Sequence, residues 1–397
     1  MRKVGGGFRR GGVWSARAWA ALTLLGSLAC AGPRLATLSA PSHALLARAE
    51  VPELRLTVDE SAREVVVDMG PFDVPDMGAA AHDAAAGAMP DGTPATHGQS
   101  GPLMPFEWPV EGWLRGFQVR LTDAEGNELP RHILHHLIGV NFDRRQLAYP
   151  ALERFFGIGT ETEDVELPSW IGVPMAEGQR LAFYASLHND TGKDLDLDQV
   201  YVRVAMDYTP RSHRDDVTAV LPVYFDTDNR IGETNMWDVR PGRSEKAWEF
   251  TVPVSGGLLG VTGHLHDYGE HVRLEDVETG RVLVRLDGRR DAEGRLEGVE
   301  TRIFRKWLGL RSNPLRLEAG RLYRVVGVYD SPLEETIEDG AMAHIVGIFA
   351  PDDMSRWPSL DPESEWVRLD VSALPRPPGE GTEGAPHGEG GHGGHHE

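Results

Sequence analysis

The chain reads as all-β, two tandem jelly-roll-like antiparallel β-sandwich domains, on three observations. Between Gly116 and Pro210 no long segment repeats its apolar residues at helical spacing. In its place stand short alternating runs, GFQVRLTD, HILHHLIGVNF, RLAFYASLHN and QVYVRVAMDYT, separated by turn chemistry such as Glu-Gly-Asn and Asn-Asp-Thr-Gly. A second block then shows the same alternation in AVLPVYFD, KAWEFTVPV, GLLGVTGHLHDYG, HVRLEDVETGRVLVRL, RLYRVVGVYD and AHIVGIFAPDD. With 397 residues, 40% of them apolar, and 10 Trp, 12 Phe and 8 Tyr, there is material for two cores.

Taken in order, the first 17 residues carry five basic and no acidic groups, and Ala18 to Ala31 is an uncharged run ending in Ala29-Cys30-Ala31. This predicts an export signal over 1–31, followed by a linker over 32–50 and a periplasmic or extracellular destination. The apolar run is short of the roughly 20 residues a transmembrane helix needs, so no membrane span is expected after cleavage. Cys30 is alternatively a lipid anchor, although Ser27-Leu28-Ala29 fits that pattern poorly. Leu54 to Asp68 alternates on both sides of a turn, as a hairpin with one wet face does. It opens a first domain over 51–209. Residues 77–105, rich in Ala, Gly and Pro, read as a flexible insertion whose His82, Met89 and His97 are solvated. The polar stretch from Thr209 to Asp216 marks the boundary, a second sandwich runs over 210–375, and the His/Gly-rich 376–397 is expected to be a disordered tail.

The formal charge is -21, and loss of five cations with the signal makes it about -26, which repels nucleic acid and anionic lipid alike. Cys30 is the single cysteine, so a mature chain has neither disulfide nor thiolate metal site. Any metal falls to His, Met or carboxylates.

Six such donors form two triples, His135-His136 with His188 and His264-Leu265-His266 with Met342. His264 and His266 are two apart, so on a strand both imidazoles leave the same face and can close on one ion. Asp267 or a backbone carbonyl is placed to orient a ring. Adjacent His135 and His136 point to opposite faces of a regular strand and need a twist or bulge to converge. His132 rivals them if this piece is helical. His188 ends an apolar run, where a strand delivers a side chain to the sandwich rim. A methionine placed like Met342 is more often core filler than ligand. His344, two beyond Met342, is a possible additional ligand, and His271 reads as a surface residue. Imidazole suits both copper oxidation states and thioether favours Cu(I), so the two donor sets suit ions of different potential.

The order and spacing of HILHHLIGVNF, FYASLHND, VTGHLHDYGEHV and EDGAMAHIVGIF resemble those of the copper type II, ascorbate-dependent monooxygenases, the family of peptidylglycine α-hydroxylating monooxygenase and dopamine β-monooxygenase, over roughly Gly116 to Pro351. The resemblance implies two jelly-roll-like domains facing each other across a wet cleft, with two copper ions and ascorbate or another reductant. It assigns His135, His136 and His188 to an electron-donating copper, and His264, His266 and Met342 to a copper that binds O2 and attacks a small-molecule substrate. The departures count too. Thr262 stands where peptidylglycine enzymes carry an Arg, His344 and Val346 where they carry Asn and Tyr, and the family disulfides are missing. A glycine-extended peptide is therefore not the expected substrate. The function expected is an exported two-copper monooxygenase. The rivals are a non-catalytic copper-binding or copper-handling protein on the same scaffold, which His344 and the His-rich tail favour, and an interaction domain whose histidines are incidental. Oligomeric state is not legible.

Overall fold

The computed structural model describes residues 51–74, 101–159, 164–187, 189, 197, 199–213, 216–229, 235–292, 294–304 and 314–379. The expected signal, the linker, most of the 77–105 insertion with His82, Met89 and His97, the tail beyond 379, and His188 lie outside the described residues. Among the described residues no helix is long and apolar enough to cross a membrane.

The fold is all-β. Eleven strands build the first sandwich: β1 (Glu53–Asp59), β2 (Glu64–Phe72), β3 (Met104–Glu107), β4 (Gly112–Thr122), β5 (Leu134–Arg145), β6 (Leu152–Gly159), β7 (Val165–Glu166), β8 (Ile171–Met175), β9 (Arg180–Leu187), β10 (Val200–Pro210) and β11 (Thr218–Ala219). One sheet runs β1-β2-β10-β4-β8-β11 with β7 on β4, and the other runs β3-β9-β5-β6. Setting aside the edge strand β1 and the two-residue strands β7 and β11, the eight remaining strands in chain order lie as 1-8-3-6 in one sheet and 2-7-4-5 in the other. That is the jelly-roll order.

The second sandwich repeats it. Its strands are β12 (Leu221–Asp226), β13 (Trp237–Val239), β14 (Gly242–Thr251), β15 (Gly256–Leu265), β16 (Gly269–Asp276), β17 (Arg281–Arg290), β18 (Leu296–Val299), β19 (Thr301–Ile303), β20 (Leu315–Leu317), β21 (Leu322–Ser331), β22 (Ile337–Ala341) and β23 (Ala343–Pro351). One sheet runs β12-β23-β15-β19 with β20 on β15, the other runs β14-β21-β16-β17-β18, and β13 pairs with β22; without β13, β18, β20 and β22 the order is again 1-8-3-6 over 2-7-4-5.

Residue alternation fixes which side chains fill each core. In β15, Val261 and Leu265 are buried and Gly263 lies between them facing inward, where a Cβ would meet Val299 and Val272 at 2.7 and 2.8 Å. Glycine there lets the two sheets close. The hairpin expected at the N-terminus is present, pairing Glu53 with Gly70 through to Asp59 with Glu64. It departs from the expected single wet face, because β2 is buried along Val65–Met69 on both sides. The buried Asp68 is matched by Arg203 of β10 across a 2.6 Å ion pair. The end of the expected insertion is ordered instead as β3, where Met104 pairs with Phe183 and is buried.

Two segments sew the sandwiches together. The β5–β6 connection inserts Leu147, Tyr149 and Ala151 into the second core, where the Tyr149 hydroxyl accepts from the Asp226 backbone N–H at 3.0 Å. In return the chain beyond β23 comes back to the first sandwich. Trp357 donates from its indole to the Arg145 carbonyl at 3.0 Å. Helix α1 (Glu365–Ser372), capped by Ser364, then lays Val367 on Val140 and Leu152. Asp370 of α1 accepts from Arg154 at 2.5 and 3.0 Å and from the Leu152 backbone N–H at 2.8 Å. Asp370→Ala strands a half-buried guanidinium. A loss of roughly 2–3 kcal/mol in urea unfolding is expected, below the cost for a sealed pair because part of Arg154 stays wet. Limited proteolysis near 365–372 should accelerate in the same variant.

Candidate metal centres

The first histidine pair opens β5. Leu134 pairs with Leu187 and His136 with Ser186, so the register shifts by a residue between them, at His135. This is the irregularity that adjacent histidines need. The two rings come within 5.0 Å, centroid to centroid, tilted by 51°. His136 is in phase with Ile138, whose cross-strand partner is Tyr184, and the Tyr184 ring meets the His136 ring edge-on at 6.5 Å. Ile138 and Tyr184 pack with Val140, Leu152 and Val367, which places this face outside the first core and against α1. His132 is exposed on the 3-10 turn Arg131–Ile133, and the chain is already strand at Leu134. Leu187, the residue before His188, is the partner of Leu134, the residue before His135.

The second pair ends β15. Its alternation turns Val261 and Leu265 into the core and Thr262 and His264 away from it, and His266 follows just past the strand's end. The His264 and His266 rings lie 5.1 Å apart and nearly perpendicular, at 86°. At that separation both imidazoles lie within reach of one ion. His266 Nδ1 lies 3.3 Å from the Gly340 carbonyl. A carbonyl only accepts, so Nδ1 carries the proton and Nε2 the lone pair. The orienting group is thus a backbone carbonyl. Asp267 is committed elsewhere, accepting the Leu296 backbone N–H at 2.7 Å.

One buried hydroxyl joins the His-x-His segment to the methionine segment. Tyr329 of β21 accepts the backbone N–H of His266 at 2.9 Å and that of Met342 at 3.1 Å, and donates to the Met342 carbonyl. Met342 sits between β22 and β23, with the buried Ala341 and Ala343 on either side. Backbone strain collects at the same place. Tyr268, two residues past His266, and Asp339, three before Met342, adopt φ of 67° and 49°, a region that costs a side-chain-bearing residue about 1–2 kcal/mol.

His344 is the direct cross-strand partner of His264. Their rings stack at 4.7 Å with only 21° between planes, and the other side of His344 meets the Tyr224 ring at 4.8 Å. Lone pairs of near-parallel rings do not converge, so in this arrangement His344 supports His264 instead of sharing an ion with it. Burial, and then the neighbouring His264, hold its pKa well below the usual imidazole value, and its Nδ1 has neither solvent nor a hydrogen-bond partner. Below this stack lies Asp226, opposite His344 in the register and 1% exposed. It accepts from Tyr224, from Asn235 at 2.8 Å and from the Asp228 N–H at 3.0 Å. Desolvation outweighs these bonds and raises its pKa to about 6.

Among the described residues no group of three or more His, Cys, Asp and Glu side chains is gathered to hold a metal ion. Each candidate set is a pair of imidazoles whose third donor falls outside that statement: the Met342 thioether in one case and His188 in the other. The imidazole pairs, the protonated Nδ1 of His266 and the neutral His344 suit a borderline-soft metal. His271, expected at the surface, is 1% exposed. It sits on β16, an interior strand of its sheet, where it accepts from Arg273 at 3.2 Å. Alternation in HVRLED does not reveal that both faces of that strand are covered. Tyr184, Arg154, Tyr224, Asp226 and Tyr329 were not legible as site residues, since each gains its role from a partner on another strand. The Tyr-x-Asp of VYFD was the one available signal.

The fold and these side chains define a tandem jelly-roll protein with paired histidines on an outer face of each sandwich. No family profile matches the chain, and no curated protein is similar to it in sequence. Among solved structures it matches the major capsid protein P2 from Bacteriophage PM2, at 11% identity over 65% of this chain and 94% of that one, with a TM-score of 0.31.

Two outcomes test this geometry. Tyr329→Phe leaves two backbone donors without their acceptor and should cost about 2 kcal/mol in chemical unfolding, with faster amide exchange at His266 and Met342. Asp226 binds its proton more tightly folded, at about 6, than at its unperturbed 3.8. Its contribution is therefore complete below pH 3.8 and is lost as pH rises to about 6, a fall of roughly 3 kcal/mol. Asp226→Asn should flatten that part of the stability profile, read from urea midpoints at successive pH values.

Proposed function

We propose that the protein is an exported two-copper monooxygenase that hydroxylates a small organic substrate with O2 and a reductant of the ascorbate class. The observation that carries this reading is the Tyr329 hydroxyl, which bonds to the backbones of both His266 and Met342. It ties the backbone beside the imidazole pair to the backbone of Met342, and two imidazoles with a thioether make a donor set suited to Cu(I). The bulge at His135 supports the first site in the same way, turning two adjacent imidazoles toward each other. When bound, copper supplies one-electron redox chemistry, by which O2, two electrons and two protons convert a C–H bond to C–OH and release water. The residues of the chain hold and orient. Gly340 fixes the tautomer of His266, His344 fixes the plane of His264, and Thr262 leaves the substrate without a cationic anchor beside the pair.

A second reading, copper binding or handling without turnover, is favoured by one feature, the additional imidazole of His344 against His264. A rotation of that ring would let it fill the position O2 requires. Metal analysis and oxygen uptake separate the readings. The monooxygenase binds two copper ions per chain after removal of free metal and consumes O2 with ascorbate and substrate. His264→Ala should lose one ion and all uptake. Two ions bound with no uptake across a broad panel of small organic compounds gives the handling reading, and a folded protein that binds none leaves an interaction module.

A further inference from the structure

The exterior of the second sandwich carries a buried imidazole that neither donor set uses. His271 of β16 stands in a cross-strand row with Glu245 of β14, Val328 of β21 and Asp287 of β17. Val272 and Leu274 of the same strand belong to the core, so this row lies on the outer face, yet His271 and Val328 are 1% and 0% exposed. Ion pairs surround it. Arg273 reaches Glu275 at 2.6 Å and Glu245 at 3.4 Å. Glu270 is shared by Arg243 of β14 at 2.6 Å and Arg285 of β17 at 3.3 Å, and Arg285 also holds Asp287 at 2.6 Å. From β21, Arg324 comes to 3.7 Å from Glu275.

The imidazole enters this set as an acceptor. Arg273 donates from Nη1 to its Nε2 at 3.2 Å, and a guanidinium only donates, so Nε2 is bare and Nδ1 carries the proton. Nδ1 lies 3.4 Å from Glu270 Oε1 without the alignment of a hydrogen bond. A second proton would set two donors against each other at Nε2. It would also add a cation beside Arg273 and Arg285, offset by Glu270 and Asp287, at a site with almost no access to water. Burial, and then Arg285, hold the His271 pKa below the usual imidazole value. Glu270 and Arg273, the charged residues that His271 meets on its own strand, are also the ones that tie down β14, through Arg243 and Glu245. A further tie on this face joins Glu249 to Arg324. Among the described residues β14 is an edge strand, paired to β21 alone.

We propose that His271 is an acid-operated latch for the edge strand β14, closed while the imidazole is neutral and released when it takes a proton from solvent. Protonation breaks the bond from Arg273 and draws Glu270 toward the imidazolium and away from Arg243. Both ties from β16 to β14 weaken together, and the edge opens to water. The sign follows from the sealed site binding a proton less readily than the opened one. The closed state is fully favoured above 6.5, the ordinary imidazole value, and loses ground as pH falls below it. Asp226 acts in the opposite sense over an overlapping range, so strand-resolved measurement isolates the latch where whole-protein unfolding does not.

The test is amide hydrogen exchange on the full chain, expressed as protection factors so that the intrinsic effect of pH is removed. Protection of the β14 amides bonded to β21 should fall about tenfold between about pH 7 and about pH 5, relative to the amides of β10 in the first sandwich. His271→Gln keeps an oxygen that accepts from Arg273 and does not titrate, and its β14 protection should be the same at both pH values. Nitrogen-15 spectra of the wild-type histidines serve if that variant does not fold. They should show the Nδ1–H form of His271 at neutral pH, and the loss of β14 protection should follow the His271 titration. Equal losses in the wild-type protein and His271→Gln overturn the latch, as does a β14 that stays protected while His271 titrates. An Nε2–H form at neutral pH overturns it as well.

Discussion

Burial of charge at the seam between the sandwiches constrains the rest of the molecule. A polar group taken out of water must find a partner there, and for Arg154 and for the backbone of Asp226 that partner lies on the returning chain or on a connection from the opposite lobe. Arg154 finds Asp370, which requires the C-terminal helix to cross back onto the first sandwich. Asp226 finds Tyr224 and Asn235 through its carboxylate and the Tyr149 hydroxyl through its backbone N–H, which requires the β5–β6 connection to enter the second core. Once these are satisfied, the relative placement of the two lobes is no longer free.

The two lobes share a strand order, yet their histidine pairs do not occupy equivalent places. His135 and His136 open the fourth strand of the first jelly roll, in its 2-7-4-5 sheet. His264 and His266 close the third strand of the second, in its 1-8-3-6 sheet. The devices differ as well. A register shift lets neighbours converge in one lobe, while simple two-residue periodicity does so in the other. This arrangement is what two unlike sites require, because the same local solution would impose the same donors and the same angles.

Around the second pair, a neutral hydroxyl and a backbone carbonyl do the orienting, and Asp226 is buried near His344 with its own donors. Neutral orienting groups hold the imidazoles without adding charge. The His264 and His344 rings stack at 4.7 Å, and Tyr224 meets His344 at 4.8 Å with its ring tilted by 56°.

Period-two alternation and turn residues determined the all-β class and the two tandem sandwiches, because those signals are local and report one covered face per strand. They also determined that His264 and His266 share a face and that His135-His136 needs an irregularity. Tertiary structure decided what is covered on both sides, as with β2 and His271, since alternation cannot count layers. It decided as well that His344 stacks on His264, that Tyr329 ties His266 to Met342, and that Arg154 meets Asp370 of the returning helix. Each of these is a contact between residues distant in the chain, and its energy depends on shared burial, which no local pattern of residue types encodes.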